Sequence, residues 1–268
     1  IVCDNNSDGS HYETLQKKYQ AFGNINFVSN FGNIGGNANI SLGFVYAKPN
    51  EFLWILSDND LVRRDALKII LEHSSMKADF ILMNYEVDKP SYKKHYWSDG
   101  WKKPINWRMG LISATLFNTN SIKNSVKEAF FYHNSSFPHL AVAIASAKER
   151  NISNFLLLPI DKIIDQQMPQ EKNLTDYKIG QVGMPQLVTL FPKEYAKEFC
   201  HEWIKQHAKE FYLAKHLYLG TFLSTKELLL KYGGARVFIY FFYGYLRSVF
   251  FPVELRLKKL IKKVIGRV

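Results

Sequence analysis

The chain has 268 residues, 47% of them apolar, and a net charge of +11. That is enough chain and apolar mass for one packed α/β domain with an extension, and it excludes a wholly disordered polypeptide. Two cysteines, Cys3 and Cys200, exclude a disulfide framework and a cysteine-rich zinc site, and they fit a reducing, cytosolic setting.

The charge is concentrated. From Gly234 to Val268 eight Lys and Arg residues stand against Glu254, so +7 of the +11 sits in the tail and the body has no broad basic surface for nucleic acid. The first residues show neither the charged start nor the apolar core of a leader, so none is expected in this sequence, and with no run of about 20 apolar residues no membrane-crossing helix is expected. Ile1-Val2-Cys3-Asp4 reads as the end of a strand, so the expectation is that sequence is missing upstream of Ile1.

The first half alternates strand and helix signals. After the opening strand comes the polar turn Asp4-Asn5-Asn6-Ser7-Asp8-Gly9, then a helix over residues 10–22. Ser10 is positioned as its cap, Glu13 as the capping-box partner and Gly23 as the stop. A short strand is predicted over 26–29, a helix over 37–47, a buried strand over 52–57, a helix capped by Asp65 up to residue 73, and a strand over 80–84. Residues 89–104 are polar and aromatic and read as a loop over a site. Residues 110–118 are apolar, 137–150 form a helix with Pro138 in its first turn, and 155–164 supply late strand material. Beyond Pro169 the pattern is helical only, with Gly233-Gly234 as a hinge candidate. The alternation favours a mostly parallel wound sheet.

Three motifs carry chemistry. In Leu56-Ser57-Asp58-Asn59-Asp60 an apolar strand runs into two carboxylates, at the strand end where α/β sheets bind ligands. Such a pair suits a hard divalent cation that also binds diphosphate oxygens, although Asp-Asn-Asp is also a common solvated turn. The turn at Asp4 and Asn5 can hydrogen-bond a base or ribose, or it can be an ordinary turn before a helix. In Asn33-Ile34-Gly35-Gly36-Asn37-Ala38-Asn39 the paired glycines permit close backbone approach, and the asparagines can bond a nucleotide or the local backbone.

In order and spacing these motifs resemble family 2 glycosyltransferases. Those proteins show a strand ending in an Asp-Asp/Asn-x-Ser-x-Asp-Gly turn, then an Asn-x-Gly loop with a later Asn, then a strand running into Asp-x-Asp. The resemblance is loose from there to about Asp165. It implies an α/β, GT-A (Rossmann-like) fold with a mostly parallel central sheet flanked by helices, to which the helical pattern beyond Pro169 adds a helical C-terminal extension. Asp4 and Asn5 would contact base and ribose, and Asn33 and Asn39 would belong to the nucleotide-side loop. Asp58 would face ribose and metal, and Asp60 would be the main protein ligand for Mn2+ or Mg2+. The implied reaction is inverting transfer of a sugar from a nucleoside-diphosphate sugar to an acceptor hydroxyl.

The sequence departs from that pattern in three ways. The family's opening strand, with its Pro-x-Tyr/Phe-Asn turn, is absent and would precede Ile1. The first turn is one residue short, since Asp8 follows Ser7 directly. The usual Glu-Asp pair before the acceptor-side helix is replaced by Ser136-Phe137-Pro138-His139-Leu140. His139, with an ordinary pKa of about 6.5, is the candidate base in its place, with a capping or core role as the alternative. Asp99 is a second candidate. Trp97 and Trp101 can stack on an acceptor sugar or anchor their loop.

In the tail, Leu257, Leu260, Ile261, Val264 and Ile265 share one helical face, with Arg256, Lys258, Lys259, Lys262 and Lys263 filling the rest, after an aromatic run over 238–251. That reads as an amphipathic helix on an anionic membrane surface, the alternative being a helix docked on its own domain. The expected organisation is a glycosyltransferase domain over 1–168, a helical extension over 169–233 and a membrane-associating tail over 234–268. The expected location is cytoplasmic and peripheral, at the inner face of the cell membrane, with a saccharide or lipid-linked acceptor for surface polysaccharide. A non-catalytic membrane-bound module with the same fold is the rival reading, and no nucleic-acid partner is expected.

Overall fold

The computed structural model describes residues 1–7, 10–58, 60–75, 77–85, 87–96, 109–135, 137–159, 164–165, 186–193, 195–200, 227–235, 238–239 and 242. In chain order the elements are β1 (Val2–Asp4), α1 (His11–Tyr19), β2 (Phe27–Ser29), α2 (Gly36–Gly43), β3 (Phe52–Trp54), β4 (Leu61–Val62), α3 (Ala66–His73), β5 (Phe80–Tyr85) and β6 (Ser91–Tyr96). They continue with β7 (Thr115–Asn118), α4 (Thr119–Ile122), α5 (Lys127–Phe131), α6 (Pro138–Arg150), β8 (Ile152–Pro159) and β9 (Ile164–Asp165).

The main sheet has five strands in the order β3-β7-β5-β8-β6. Only β5 and β8 run parallel within it; β3–β7, β5–β7 and β6–β8 are antiparallel. The expected mostly parallel sheet is therefore corrected to a mixed one. The helical crossover that parallel neighbours require is seen in β1–α1–β2, whereas β6 follows β5 after a short connection and lies antiparallel on β8, and β7 lies antiparallel between β3 and β5. β1 and β2 form a separate parallel pair, joined through α1, and β4 pairs antiparallel with β9.

Strands β5, β7 and β8 are buried on both faces. Phe80, Leu82, Phe117, Phe155 and Leu157 point to the side covered by α6, while Ile81, Met83, Leu116, Leu156 and Leu158 point to the side covered by α3. Side chains alternate along a strand, so double coverage makes the sequence read as an unbroken apolar run. Phe80 stacks on Phe155 at 5.3 Å and meets Phe117 edge-on at 5.9 Å, and Phe44 meets Phe117 edge-on at 5.3 Å. The apolar residues of β3 are only half-buried, in contrast to its neighbours.

The loop expected over residues 89–104 is corrected at its start. Residues 91–96 are the edge strand β6, in register with β8 from Ser91–Leu157 to Tyr96–Ile152. An edge strand with a solvated face and lysines carries no apolar alternation, and those charges also block pairing with another chain. Just before β5, Asp79 is buried at 2% exposure. It accepts hydrogen bonds from Ser121 Oγ and from the Asn154 backbone N–H at 2.7 Å, and it pairs with Arg150 at 2.9 Å.

Helix α6 packs into the larger core cluster. Nine of its residues are buried, Pro138 occupies the first turn as expected, and Asn151 ends it in the left-handed conformation. The expected capping box at Ser10 does not form: its side chain makes no cap bond, and its backbone sits outside the capping conformation. Asp65 likewise caps α3 without a side-chain bond, because Arg63 holds its carboxylate. Leu187, Val188, Leu190, Phe191, Ala196, Phe199 and Cys200 pack into the same core cluster as α6. No helix among the described residues is long and apolar enough to cross a membrane.

Candidate functional site

The β1 turn is built around Asp4. Both carboxylate oxygens lie 3.3 Å from the Ser7 N–H, and Ser29 Oγ donates to Oδ2 at 3.2 Å. Hydrogen bonds from Ser7, with help from Ser29 and Asn6, hold the Asp4 carboxyl below its ordinary pKa. Asn6 takes the left-handed conformation at φ 58°, which asparagine tolerates better than other side chains and which turns the chain sharply after the strand.

Asn5 stitches this turn to the loop between β2 and α2. Its Oδ1 accepts from Asn30 Nδ2 at 3.1 Å and from the Ile34 N–H at 3.1 Å, and its Nδ2 donates to Asn33 Oδ1 at 3.0 Å. Asn33 Oδ1 also accepts the Gly35 N–H at 2.9 Å, and Asn30 Nδ2 reaches Asn39 Oδ1 at 3.0 Å. Gly35 has φ +83°, a conformation that the tight turn into α2 requires and that L side chains resist. The structure thus brings Asp4, Asn5, Asn33 and Asn39 together. The side-chain oxygens of Asn5, Asn33 and Asn39 are all engaged inside the network, which leaves the side-chain N–H groups of Asn33 and Asn39 as donors that it does not use. Such a surface suits ligand acceptor atoms: phosphate, ribose or carbonyl oxygens.

At the end of β3, Asp58 is exposed and Asp60 half-buried. The Asp60 N–H closes the turn onto the Ser57 carbonyl at 3.3 Å. Neither carboxylate belongs to an ion pair among the described residues. Nor do three His, Cys, Asp or Glu side chains converge on a cation site among those residues. Two unpaired carboxylates on one turn fit a hard cation that takes its other ligands from water and diphosphate oxygens, as Mg2+ commonly does. They do not fit an ion held wholly by the protein.

The strand exit is tied to residues 109–114. Ser57 N–H donates to Ser113 Oγ at 2.8 Å, and Trp54 Nε1 donates to the Ser113 carbonyl at 2.8 Å. The same segment reaches α6 through His139, whose Nε2 lies 2.9 Å from the Met109 carbonyl and 3.1 Å from that of Gly110. The acidic turn, the 109–114 segment and the start of α6 are therefore linked by hydrogen bonds.

His139 departs from the expected base. It is 2% exposed, and both Nε2 partners are carbonyls, so Nε2 carries the proton. The basic atom is then Nδ1, which is buried without a partner. Burial pulls the imidazole down to about 4, against a smaller opposing effect from the two carbonyls. The ring is neutral at pH 7 but sealed from a solvent-borne hydroxyl, and its evident work is to hold residues 109–110. Burial also pushes the Cys3 thiol up and the Cys200 thiol up to about 12, so neither is a thiolate nucleophile at neutral pH.

Asp99, Trp97 and Trp101 lie outside the described residues, as does most of the tail. Sequence reasoning missed Ser29 and Asn30 as supports of the first turn and Ser113 as the support of the acidic turn. The available signal for Ser113 was a small polar residue inside the apolar run over 110–118.

No protein-family model matches the chain, and no curated protein matches it. Solved structures of S. aureus TarS do. TarS 1–349 is 14% identical with a TM-score of 0.54, over 88% of this chain and 72% of that one. TarS 1–349 in complex with UDP is 14% identical with a TM-score of 0.50, over 86% and 69%. A longer TarS structure gives 14% identity and a TM-score of 0.53 over 88% of this chain but 43% of its own, so the chain spans less than half of that molecule. TarS is a glycosyltransferase, and the likeness shows a GT-A-like α/β fold with a mixed central sheet flanked by helices.

Proposed function

We propose that this chain is a glycosyltransferase that takes a sugar from a nucleoside-diphosphate donor and transfers it to an acceptor hydroxyl. The observation that carries the reading is the pairing of a TarS-like fold, known with UDP in TarS, with a donor-rich asparagine cluster and an unpaired Asp58–Asp60 turn, each at the C-terminal end of a strand. In wound sheets ligands bind at that end.

In this reading Asp4 and Asn5 shape the base and ribose pocket, and Asn33 and Asn39 present N–H groups to donor oxygens. Asp60, with Asp58, would hold Mn2+ or Mg2+, whose chemistry when bound is to offset the charge of the departing diphosphate. The acceptor oxygen attacks the anomeric carbon as the diphosphate leaves from the opposite face, which inverts that centre. His139 supports this chemistry indirectly by fixing Met109 and Gly110. The acceptor proton falls to Asp99, the other candidate base in the sequence. The amphipathic tail would lie on the anionic inner face of the cell membrane, bringing the site to a lipid-linked saccharide used for surface polysaccharide.

The test is release of UDP from UDP-sugars with added Mn2+. Turnover that Asp60→Ala removes without unfolding the protein supports the enzyme. UDP binding without turnover under any donor favours the non-catalytic module with the same fold, and absence of both overturns the nucleotide-sugar reading.

A further inference from the structure

We infer that Ser113 is a positioning residue for the acidic turn, an inference that rests on the reading of Asp58 and Asp60 as the cation and diphosphate site. Ser113 is 0% exposed, in the tight helical turn Ile112–Ala114 just before β7. It touches the exit of β3 at two points three residues apart. Its Oγ accepts the Ser57 N–H and its carbonyl accepts the Trp54 indole N–H, both at 2.8 Å. Ser57 in turn accepts the Asp60 N–H through its own carbonyl at 3.3 Å. One buried residue thus fixes the first residue of the turn, and the last residue hangs from it through one further hydrogen bond.

The two carboxylates of the turn do not themselves tie it to its surroundings through ion pairs among the described residues. β3 ends as a strand at Trp54, so ladder hydrogen bonds do not reach the turn. Two carboxylates share a hard cation only if the backbone holds them at the right separation, and a loose support lowers affinity while leaving the ligands present. Met109 and Gly110, earlier in the same segment, are held to the start of α6 by the His139 bonds, so Ser113 belongs to a segment attached to a helix with nine buried residues.

The experiment compares Ser113→Ala, Ser113→Thr and Asp60→Ala in the full chain. Two quantities are read: the Mn2+ concentration that gives half-maximal UDP retention in equilibrium dialysis, and amide exchange at Ser57 and Asp60 without Mn2+. Ser113→Ala is expected to raise the half-saturating Mn2+ about ten-fold, the scale set by removing one buried hydrogen-bond acceptor. It should also speed exchange at both amides. Ser113→Thr keeps the hydroxyl and is expected to stay within about three-fold of the original chain in the same comparison.

An Ala variant that matches the original chain in both readouts overturns the proposal. So does a Thr variant that behaves like Ala, which would assign the effect to volume. If the original chain retains no UDP at any Mn2+ level, the cation reading falls by itself. The anchoring claim is then decided by exchange alone, where faster exchange in Ala but not Thr upholds it and equal exchange overturns it. Should Ser113→Ala fail to fold, Trp54→Phe removes only the indole bond. It is expected to raise half-saturating Mn2+ about two- to three-fold, and an unchanged value overturns the proposal.

Discussion

Replacing His139 by Gln should remove a pH dependence of stability that the present structure builds in. The folded imidazole takes up a proton only near pH 4, while an unfolded one does so near 6.5. Between those values the unfolded state binds more protons, so stability falls as pH falls; above about 6.5 the group contributes no such penalty. The full interval corresponds to about 3 kcal/mol, and by pH 5 roughly 2 kcal/mol of it is lost. The cause is placement: at 2% exposure, with Nε2 already donating to two carbonyls, a second proton on Nδ1 would be a buried charge with no acceptor. Gln keeps an N–H for the Met109 carbonyl without a titrating ring. Urea unfolding at pH 7.5 and pH 5.0 gives the measurement, since the other titrating groups contribute to both proteins alike. The original chain should lose about 2 kcal/mol more than His139→Gln between the two pH values. Parallel losses would refute the burial of a neutral ring at this position.

Two further outcomes follow from the packing. Asp79→Ala leaves the Asn154 N–H, Ser121 Oγ and Arg150 without their shared acceptor. It should lower unfolding free energy by about 2–4 kcal/mol, a loss under about 1 kcal/mol counting against the network. Gly35→Ala forces a side chain onto φ +83° and should cost about 1 kcal/mol and weaken UDP retention, whereas its neighbour Gly36, at the start of α2 with open space around it, should accept Ala at no cost. Equal effects of the two substitutions, read by thermal unfolding and dialysis, would contradict the assigned backbone.

The elements legible in the sequence were those whose signal is local. Pro138 in a first turn, Gly35 before a helix, and the apolar runs at Phe80 and Phe155 all mark their structures through dihedral limits or burial on both faces, and each is where expected. Residues 91–96 failed the same test, because an edge strand is recognised by its neighbour, here β8, and not by its own alternation. The turn at Asp4 and Asn5 and the loop at Asn33 and Asn39 could be named from motifs, but no sequence spacing says that Asn5 joins the two through Asn33 and the Ile34 N–H.

The sequence by itself therefore determined an α/β chain, the order of its main strands and helices, and which turns carry polar side chains, since propensity and periodicity act over a few residues. Tertiary structure alone decided that the sheet is mixed, that His139 is a neutral core residue, and that Ser113 holds the acidic turn. Strand direction, desolvation and a hydrogen bond between residues 56 positions apart arise only when distant segments meet.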